Sequence, residues 1–141
     1  MTEIEKALQI AQTANVETQE NCAVLYSISY LKSDENKRNA IAYVQKHEQC
    51  LLLDDTECGR QITDLNLDND FKNPKDEIQK IWHVASKRFI LAASGNLTAF
   101  VDKADPRSTF VSVELPLILQ NERIKTINHI DKNDFAKQFF K

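Results

Sequence analysis

Glycine is scarce in this sequence of 141 residues, which contains only Gly59 and Gly95. A Rossmann dinucleotide fingerprint needs three glycines within six residues, and a P-loop needs two glycines shortly before a Lys-Ser/Thr pair. Gly59 and Gly95 are far apart in the chain, so neither motif can form. The sequence therefore excludes a glycine-rich cradle, and any nucleotide site must be built from other residue types.

Cysteine is also infrequent, with Cys22, Cys50 and Cys58 as the only examples. An odd and low number of cysteines argues against a disulfide framework, so we expect reduced and partly buried thiols. His47, Cys50 and Cys58 could suggest a metal site, but no fourth ligand follows at a familiar spacing. The sequence therefore predicts no bound metal.

Long apolar runs and concentrations of positive charge are missing as well. No uninterrupted apolar stretch is long enough to span a membrane, and the N-terminal residues Glu3, Glu5 and Lys6 interrupt any signal-peptide core. The net charge is −3, and lysines and arginines are scattered among acids rather than gathered into a patch. We therefore expect no membrane partner and no nucleic-acid partner.

What remains is the composition of an ordinary globular domain, with 42% hydrophobic and 28% charged residues. We predict a single domain over residues 1–141, with residues 1–72 mainly helical and residues 73–141 forming a helix plus a small sheet. In the first part, helical spacing of Ile4, Leu8 and Ala11 predicts one helix. Ser33 is expected to cap a second over residues 34–48. Its inner face would comprise Ala40, Ile41 and Val44. Residues 51–67 form a further apolar periodic run, whereas residues 22–31 fit either a helix or a strand.

The clearest helix signal lies in the second part. We predict Asn73 as the N-cap, Pro74 at the first helical position, acids in the first turn, and Gly95 as a left-handed C-terminal cap after Ser94. One face of this helix is apolar. Its residues are Ile78, Ile81, Trp82, Ala85, Phe89 and Ala92.

After Gly95 the pattern changes to the alternation of strands. We predict strands over residues 96–101, 109–115 and 123–128, with Pro116 ending the second, and a short final helix capped by Asp134 that ends in Phe139 and Phe140. Helices precede strands in this order. The layout favours a helical part packed on a small sheet, in the α/β or α+β class.

Glu114 is the lone charge in the strand predicted over residues 109–115. Alternation would place Phe110, Ser112 and Glu114 on one face, and Val111, Val113 and Leu115 on the other. Ligands of open α/β sheets bind beyond the carboxyl ends of the strands, which suits a catalytic carboxylate. An edge strand with its polar face in water explains the same pattern equally well.

Two other segments carry candidate site residues. Trp82 and Ser86 are four residues apart and share a helix face, so the indole could stack on a ligand ring while the hydroxyl holds a phosphate. A single tryptophan is more often a core anchor.

Asp54 and Asp55 precede Thr56 as acids commonly precede a helix, although a carboxylate there could also lie opposite Glu114.

Together these segments resemble the ADP-ribosyl cyclase / NAD glycohydrolase family, typified by CD38. The resemblance covers residues 51–128 and rests on three motifs in the family's order. The first is the acidic run Leu53, Asp54, Asp55 and Thr56, with Gly59, Asp64, Leu65 and Phe71 continuing the register. The second is Trp82, Ser86, Arg88 and Phe89. The third is Ser108, Thr109, Phe110, Val113 and Glu114.

The resemblance implies an α/β fold with a small, mainly parallel sheet, and NAD as the substrate without a separate cofactor. Nicotinamide would leave the ribose, and water would yield ADP-ribose, with some cyclic product where adenine attacks instead. The resemblance makes Glu114, Trp82 and Asp54 the catalytic residues. It implies that Ser86, Ser108, Thr109, Phe110 and Asp55 bind the substrate.

Three departures from the family pattern stand out. The family has a second active-site tryptophan upstream of the acidic motif, where this chain offers only Tyr30 or Lys32. Asp54 replaces a glutamate. The short, cysteine-poor chain is similar to bacterial members that act as NAD-destroying toxins. This implies a secreted effector delivered to the cytoplasm of a target cell, with a cognate immunity protein as partner, or otherwise a cytoplasmic protein.

Two other classes of protein fit the same sequence. A non-enzymatic interaction or immunity-type protein would explain the acidic balance and the lack of a cofactor motif. A nucleotide-binding protein without turnover would retain the site but not the reaction. Stabilisation by NAD and release of nicotinamide distinguish the three.

Overall fold

The computed structural model describes residues 2–31, 33–67 and 74–139, so the predictions made for Lys32, Phe71, Asn73 and Phe140 lie outside the described residues. The helices are α1 (Glu3–Thr13), α2 (Glu35–Lys46), α3 (Glu57–Asp64), α4 (Lys75–Ala92), α5 (Leu115–Gln120) and α6 (Lys132–Ala136). The strands are β1 (Val24–Tyr26), β2 (Gly95–Phe100), β3 (Ile124–Ile127) and β4 (Ile130–Asp131). A 3-10 turn spans Leu53–Asp55, and a π-helix spans Phe110–Glu114. No described helix is long and apolar enough to cross a membrane.

The strands form one sheet in the order β1-β2-β3-β4. β1 and β2 are parallel with Val24 opposite Thr98, β2 and β3 are parallel, and β3 and β4 are antiparallel. The predicted α/β class with a small, mainly parallel sheet is therefore confirmed. β1 comes from the ambiguous residues 22–31, while β2 and β3 confirm the strands predicted over residues 96–101 and 123–128.

The main hydrophobic core lies where α1, α3 and α4 pack together and against the sheet. It draws on both parts of the chain and includes Phe89, Leu97, Phe110 and Ile124, all at most 1% exposed. Alternation along β2 buries Leu97 and Ala99 on one face. Burying each large side chain of this kind contributes about 1.5–3 kcal/mol, which fixes α4 against the sheet.

Helix α4 confirms the strongest helix prediction but shifts both ends. Pro74 is the N-cap rather than the first helical residue, and its carbonyl accepts hydrogen bonds from the amides of Glu77 and Ile78. The helix ends at Ala92, so Gly95 is not its cap and instead opens β2 with φ of 77°. Glycine is required there because a Cβ atom would overlap the Asn21 side chain, whose oxygen accepts the amide of the next residue.

The strand predicted over residues 109–115 is wrong, because these residues continue from the π-helix into α5. Ser108 starts this helical run: its hydroxyl accepts the amide of Val111, and its carbonyl accepts the amide of Ser112. Pro116 does not end a strand but lies in the first turn of α5, directly after the π-helix. Phe110 and Glu114 are buried on the same side, whereas Ser112 is exposed.

Smaller corrections concern helix caps and faces. Asp131 rather than Asp134 caps the last helix, since its side chain accepts hydrogen bonds from two amides of the first turn.

In α2 the buried residues are Ala40 and Asn36, while Ile41 is 38% exposed. The Asn36 amide group donates to backbone carbonyls of two loops, which accounts for a polar residue on the inner face. The exposed fraction of Leu8 in α1 is 37%, so the inner face of that helix is centred on buried Ala7 and Ala11.

Candidate functional site

A cavity of about 330 Å³ opens where β1, the Leu53–Asp55 turn, α4 and the π-helix meet. Its volume is at the lower end of the range of small-molecule sites, about 300–1,000 Å³. The wall combines apolar and aromatic groups with several polar ones. The lining residues are Val24, Leu25, Tyr26, Ser27, Ile28, Leu52, Leu53, Asp54, Gln79, Trp82, His83, Ser86, Thr109, Phe110 and Glu114.

Glu114 is the most deeply buried titratable residue in the lining of this cavity, being 7% exposed. Burial and then the nearby Asp54 carboxylate raise the pKa of Glu114 from its usual 4.5 to about 8. Within the described residues, no group donates a hydrogen bond to the Glu114 carboxylate. Buried carboxyl groups without a protein partner are rare, and one that lines a cavity is available to ligand hydroxyls.

The π-helix determines where Glu114 points. The wide i→i+5 turn runs from the carbonyl of Phe110 to the amide of Leu115, and Phe110 and Glu114 both face the cavity. Single π turns occur frequently at functional sites because they reorient side chains within a helix. The T-shaped contact of Phe110 with Phe139, at 5.8 Å between ring centroids, anchors the start of the turn.

Asp54 lines the cavity from the Leu53–Asp55 turn. Partial burial raises its pKa, Lys37 opposes the rise, and Asp55 adds to it. The turn packs on the start of α3, where Thr56 caps the helix by accepting the amide of Gly59. A Cβ atom on Gly59 would overlap the Leu53 carbonyl, so glycine permits this packing.

Helix α4 contributes four lining residues at helical spacing, Gln79, Trp82, His83 and Ser86. Trp82 is half-buried, with part of its ring packed on the main core and part facing the cavity. The two interpretations of Trp82, core anchor and cavity wall, therefore both hold. Sequence reasoning missed Gln79 and His83, although their spacing from Trp82 and Ser86 already placed them on the same face.

His83 and Thr109 form a polar contact in the cavity wall, with 3.3 Å between Nε2 and the hydroxyl oxygen. Burial and then the Lys87 ammonium lower the pKa of His83. The imidazole is therefore neutral at physiological pH, and its unprotonated nitrogen can accept a proton or a hydrogen bond.

Tyr26 of β1 is the third large aromatic residue of the cavity, after Trp82 and Phe110, and sequence reasoning missed it. Burial, then Asp54, then Glu114 raise the pKa of Tyr26 to about 12, so the phenol stays neutral. Tyr30, which the sequence suggested for this place, is 52% exposed and does not line the cavity. The other suggestion, Lys32, lies outside the described residues.

The structure brings six of the eight predicted site residues into the cavity wall. They are Glu114, Trp82, Asp54, Ser86, Thr109 and Phe110. Ser108 and Asp55 are not among the lining residues. The Ser108 hydroxyl is used by the Val111 amide, and the Asp55 carboxylate accepts the amide of Leu52 at 3.1 Å, so both hold local backbone instead.

Comparison with solved structures identifies the fold. An ADP-ribosyl cyclase bound to N1-cIDPR matches with a TM-score of 0.59 and 17% identity, covering 88% of this chain and 61% of the cyclase. A glutamate-to-alanine variant of ADP-ribosyl cyclase matches with a TM-score of 0.52 and 20% identity, covering 77% of this chain and 48% of that one. Porcine CD38 with a covalent intermediate matches with a TM-score of 0.55 and 21% identity, covering 89% and 67%.

The chain thus has an ADP-ribosyl cyclase-like fold, while spanning about half to two thirds of the length of these structures. No family model matches the sequence, and no curated protein matches it. Sequence identities of 17–21% support the similarity of fold and nothing beyond it. Any activity has to be argued from the cavity.

Proposed function

We propose that this protein hydrolyses NAD at the bond between nicotinamide and ribose, releasing nicotinamide and ADP-ribose, with cyclic ADP-ribose as a minor product. The observation that carries the proposal is the buried carboxyl group of Glu114, which has no hydrogen-bond partner among the described residues and lies with Tyr26 and Trp82 in one cavity. The fold supports it, because structures of this fold hold N1-cIDPR or a ribose-based covalent intermediate.

Glu114 provides the charge that this reaction needs. Positive charge develops on the ribose as nicotinamide leaves, and a carboxylate in a dry cavity stabilises that charge more strongly than it could in water. The nicotinamide ring of NAD is itself cationic. Its arrival lowers the pKa of Glu114 from about 8 in the empty cavity, so the substrate favours the ionised carboxylate that then accepts the ribose hydroxyls.

The aromatic walls suit the leaving group. Trp82 and Tyr26 offer flat surfaces to a pyridinium ring, and cation–π attraction adds about 0.5–2 kcal/mol where the ring is desolvated. Asp54, which also lines the cavity, is placed to accept a hydrogen bond from the amide group of nicotinamide. Because the attraction depends on the positive charge, it weakens when the bond breaks and neutral nicotinamide forms.

The hydroxyl groups of Thr109 and Ser86 suit the phosphates as hydrogen-bond donors, since the chain has no glycine loop for them. A cavity of about 330 Å³ holds the nicotinamide and its ribose, leaving the adenosine end toward the open mouth. Cyclisation needs the adenine folded back over the reacting ribose. The small volume therefore favours attack by water.

Replacing Glu114 by glutamine tests the proposal, with nicotinamide release followed by chromatography. We expect a loss of turnover of about 100-fold or more, because the substitution removes a charge that acts mainly on the transition state. Glu122→Gln is the matched control, since Glu122 is exposed. Equal turnover by Glu114→Gln and the parent would exclude the catalytic role of Glu114.

The two alternative classes give different results in the same samples. A nucleotide-binding protein without turnover would show a thermal shift with NAD and no nicotinamide. A non-enzymatic interaction or immunity-type protein would show neither. Both outcomes would overturn the proposed hydrolysis.

We further propose that the activity serves an NAD-depleting effector that is delivered into a target cell and blocked in the producing cell by a cognate immunity protein. The support is the resemblance of a short, cysteine-poor chain to such bacterial toxins. Inducible expression in a bacterial cytoplasm should deplete NAD and arrest growth, whereas Glu114→Gln should do neither. Normal growth with an active enzyme present would contradict the toxin role while leaving the hydrolase intact.

A further inference from the structure

Cys22 and Cys50 lie side by side where the chain enters β1. Ala23 and Leu51 form a parallel bridge at this point. The amide of Leu51 donates to the carbonyl of Cys22 at 3.0 Å, and the amide of Val24 donates to the carbonyl of Leu51 at 3.0 Å. Cys22 and Cys50 each directly precede a bridged residue, so they lie next to each other across the two paired segments.

This ladder brings the two side chains to one face. Residues alternate between faces along each strand, so Cys22 and Cys50 both lie on the face opposite to Ala23 and Leu51. Adjacent strands are about 4.8 Å apart, and disulfides join Cα atoms about 4.4–6.8 Å apart, so this pairing of the two segments suits a disulfide. Both cysteines belong to a small apolar cluster around Val24.

The thiols also interact with each other. Burial and then a hydrogen bond with the Cys22 thiol raise the pKa of Cys50 to about 11. Cys50 is 8% exposed, whereas Cys22 is only partly buried. Cys58 lies elsewhere, in the main core, where its thiol donates to the carbonyl of Ile10. The chain thus has one cysteine pair and one separate cysteine.

We propose that Cys22 and Cys50 are a site of reversible oxidation that forms a disulfide by exchange with a low-molecular-weight disulfide such as oxidised glutathione. The Cys22 thiolate, which solvent reaches, attacks one sulfur of the glutathione disulfide and releases the first glutathione thiolate. Cys50 then attacks the Cys22 sulfur in the mixed disulfide and releases the second. The two protein thiols lose two electrons, glutathione disulfide gains them, and the two thiol protons end on glutathione.

The bond would join two neighbouring segments that both contribute to the cavity lining. Cys22 leads into β1 and Tyr26, and Cys50 leads into the turn that holds Asp54. It would close a loop over residues 22–50, which contains α2. A cross-link of this length restricts the unfolded chain and should raise the melting temperature of the oxidised protein above that of the reduced protein.

Mass spectrometry of the folded protein tests this proposal. The protein is incubated with oxidised glutathione, alkylated and digested without reduction. We expect a Cys22–Cys50 linked peptide, one alkylated thiol at Cys58, no retained glutathione, and reversal by dithiothreitol. Three alkylated cysteines, a link through Cys58, or a lasting glutathione adduct on Cys22 would each overturn the proposal.

Single substitutions separate the two steps. Cys50→Ser should trap glutathione on Cys22, and Cys22→Ser should leave Cys50 without a link. Cys58→Ala is the matched control that should still form the link; if it fails to fold, the peptide map of the parent chain still decides. Because the measurement is a mass and not a turnover, its outcome is independent of whether the protein hydrolyses NAD.

Discussion

Glu114 shows how one buried residue links stability to chemistry. Its pKa is about 8 in the folded chain, against a usual 4.5, because burial and Asp54 disfavour the charged form. Between these two values the folded state binds more protons than the unfolded state, so the contribution of Glu114 to stability falls as pH rises. This contribution is complete below about pH 4.5 and is lost as pH rises to about 8.

Glu114→Gln should therefore stabilise the protein at alkaline pH. The neutral amide fills nearly the same space without the cost of a buried charge, and we expect a gain of about 1–5 kcal/mol at pH 9 and little change at pH 4.5. Denaturant titrations of the variant and the parent across this pH range measure it. A pH-independent difference between the two proteins would show that Glu114 titrates normally.

Tyr26 lines the cavity from β1 and could serve as an aromatic wall for a ligand ring. If its ring is a wall for nicotinamide, Tyr26→Ala should raise KM for NAD by about 10-fold, from the loss of about 1–2 kcal/mol of contact. Tyr26→Phe should raise KM less because the ring remains. Tyr30→Ala removes an exposed ring outside the cavity and should behave as the parent. An equal effect of the alanine substitutions at both tyrosines would contradict the assignment.

At the scale of elements, the π-helix is the clearest case of a site built from a segment with ambiguous sequence. The alternation over residues 110–114 fits a strand, but the buried residues Phe110, Val111, Glu114 and Leu115 equally fit one side of a helix. The local bonds of Ser108 and the position of Pro116 decide in favour of the helix. Phe110 and Glu114 remain on one side either way, because a separation of four residues is in phase with both periods.

Ser108 should therefore act on the site through the π-helix. Ser108→Ala leaves the Val111 amide without its hydroxyl acceptor, which should cost about 0.5–2 kcal/mol and lower kcat through displacement of Glu114. Ser112→Ala is the matched control, because Ser112 is exposed and its hydroxyl donates only to the preceding turn. Stability and kcat measured together test this. A loss for Ser108→Ala no larger than for Ser112→Ala would exclude the role.

How well each element could be predicted depends on the range of the interactions that determine it. The periodicity of α4 is local and long, so Trp82 and Ser86 could be placed on one face from the sequence. β1 is only three residues long and is fixed by pairing with β2, more than 70 residues later in the chain, so Tyr26 could not be predicted. Gln79 and His83 could have been predicted as site residues, because they lie on the predicted helix α4 at helical spacing from Trp82 and Ser86.

At the scale of the whole molecule, the cavity lies where distant parts of the chain meet. β1 and the Leu53–Asp55 turn come from the first part, and α4 and the π-helix come from the second. The parallel sheet and the shared core hold these parts together. The order of helices and strands predicted a small sheet in the α/β or α+β class, and the family resemblance implied that the sheet is mainly parallel, but the cavity itself depends on contacts that no local pattern specifies.

A ligand that contacts several of these elements should stabilise the molecule as a whole. In Glu114→Gln, where NAD should persist, NAD at 100 times its Kd should add about 2.7 kcal/mol to the free energy of unfolding and raise Tm by several degrees. Trp82→Ala in the same background should lose most of the shift, because the cavity loses the indole wall. A shift that survives the loss of Trp82, or that nicotinamide-free ADP reproduces in full, would place NAD elsewhere on the protein. A shift that requires Trp82 would mean that NAD binds in this cavity, where it can contact residues from both parts of the chain.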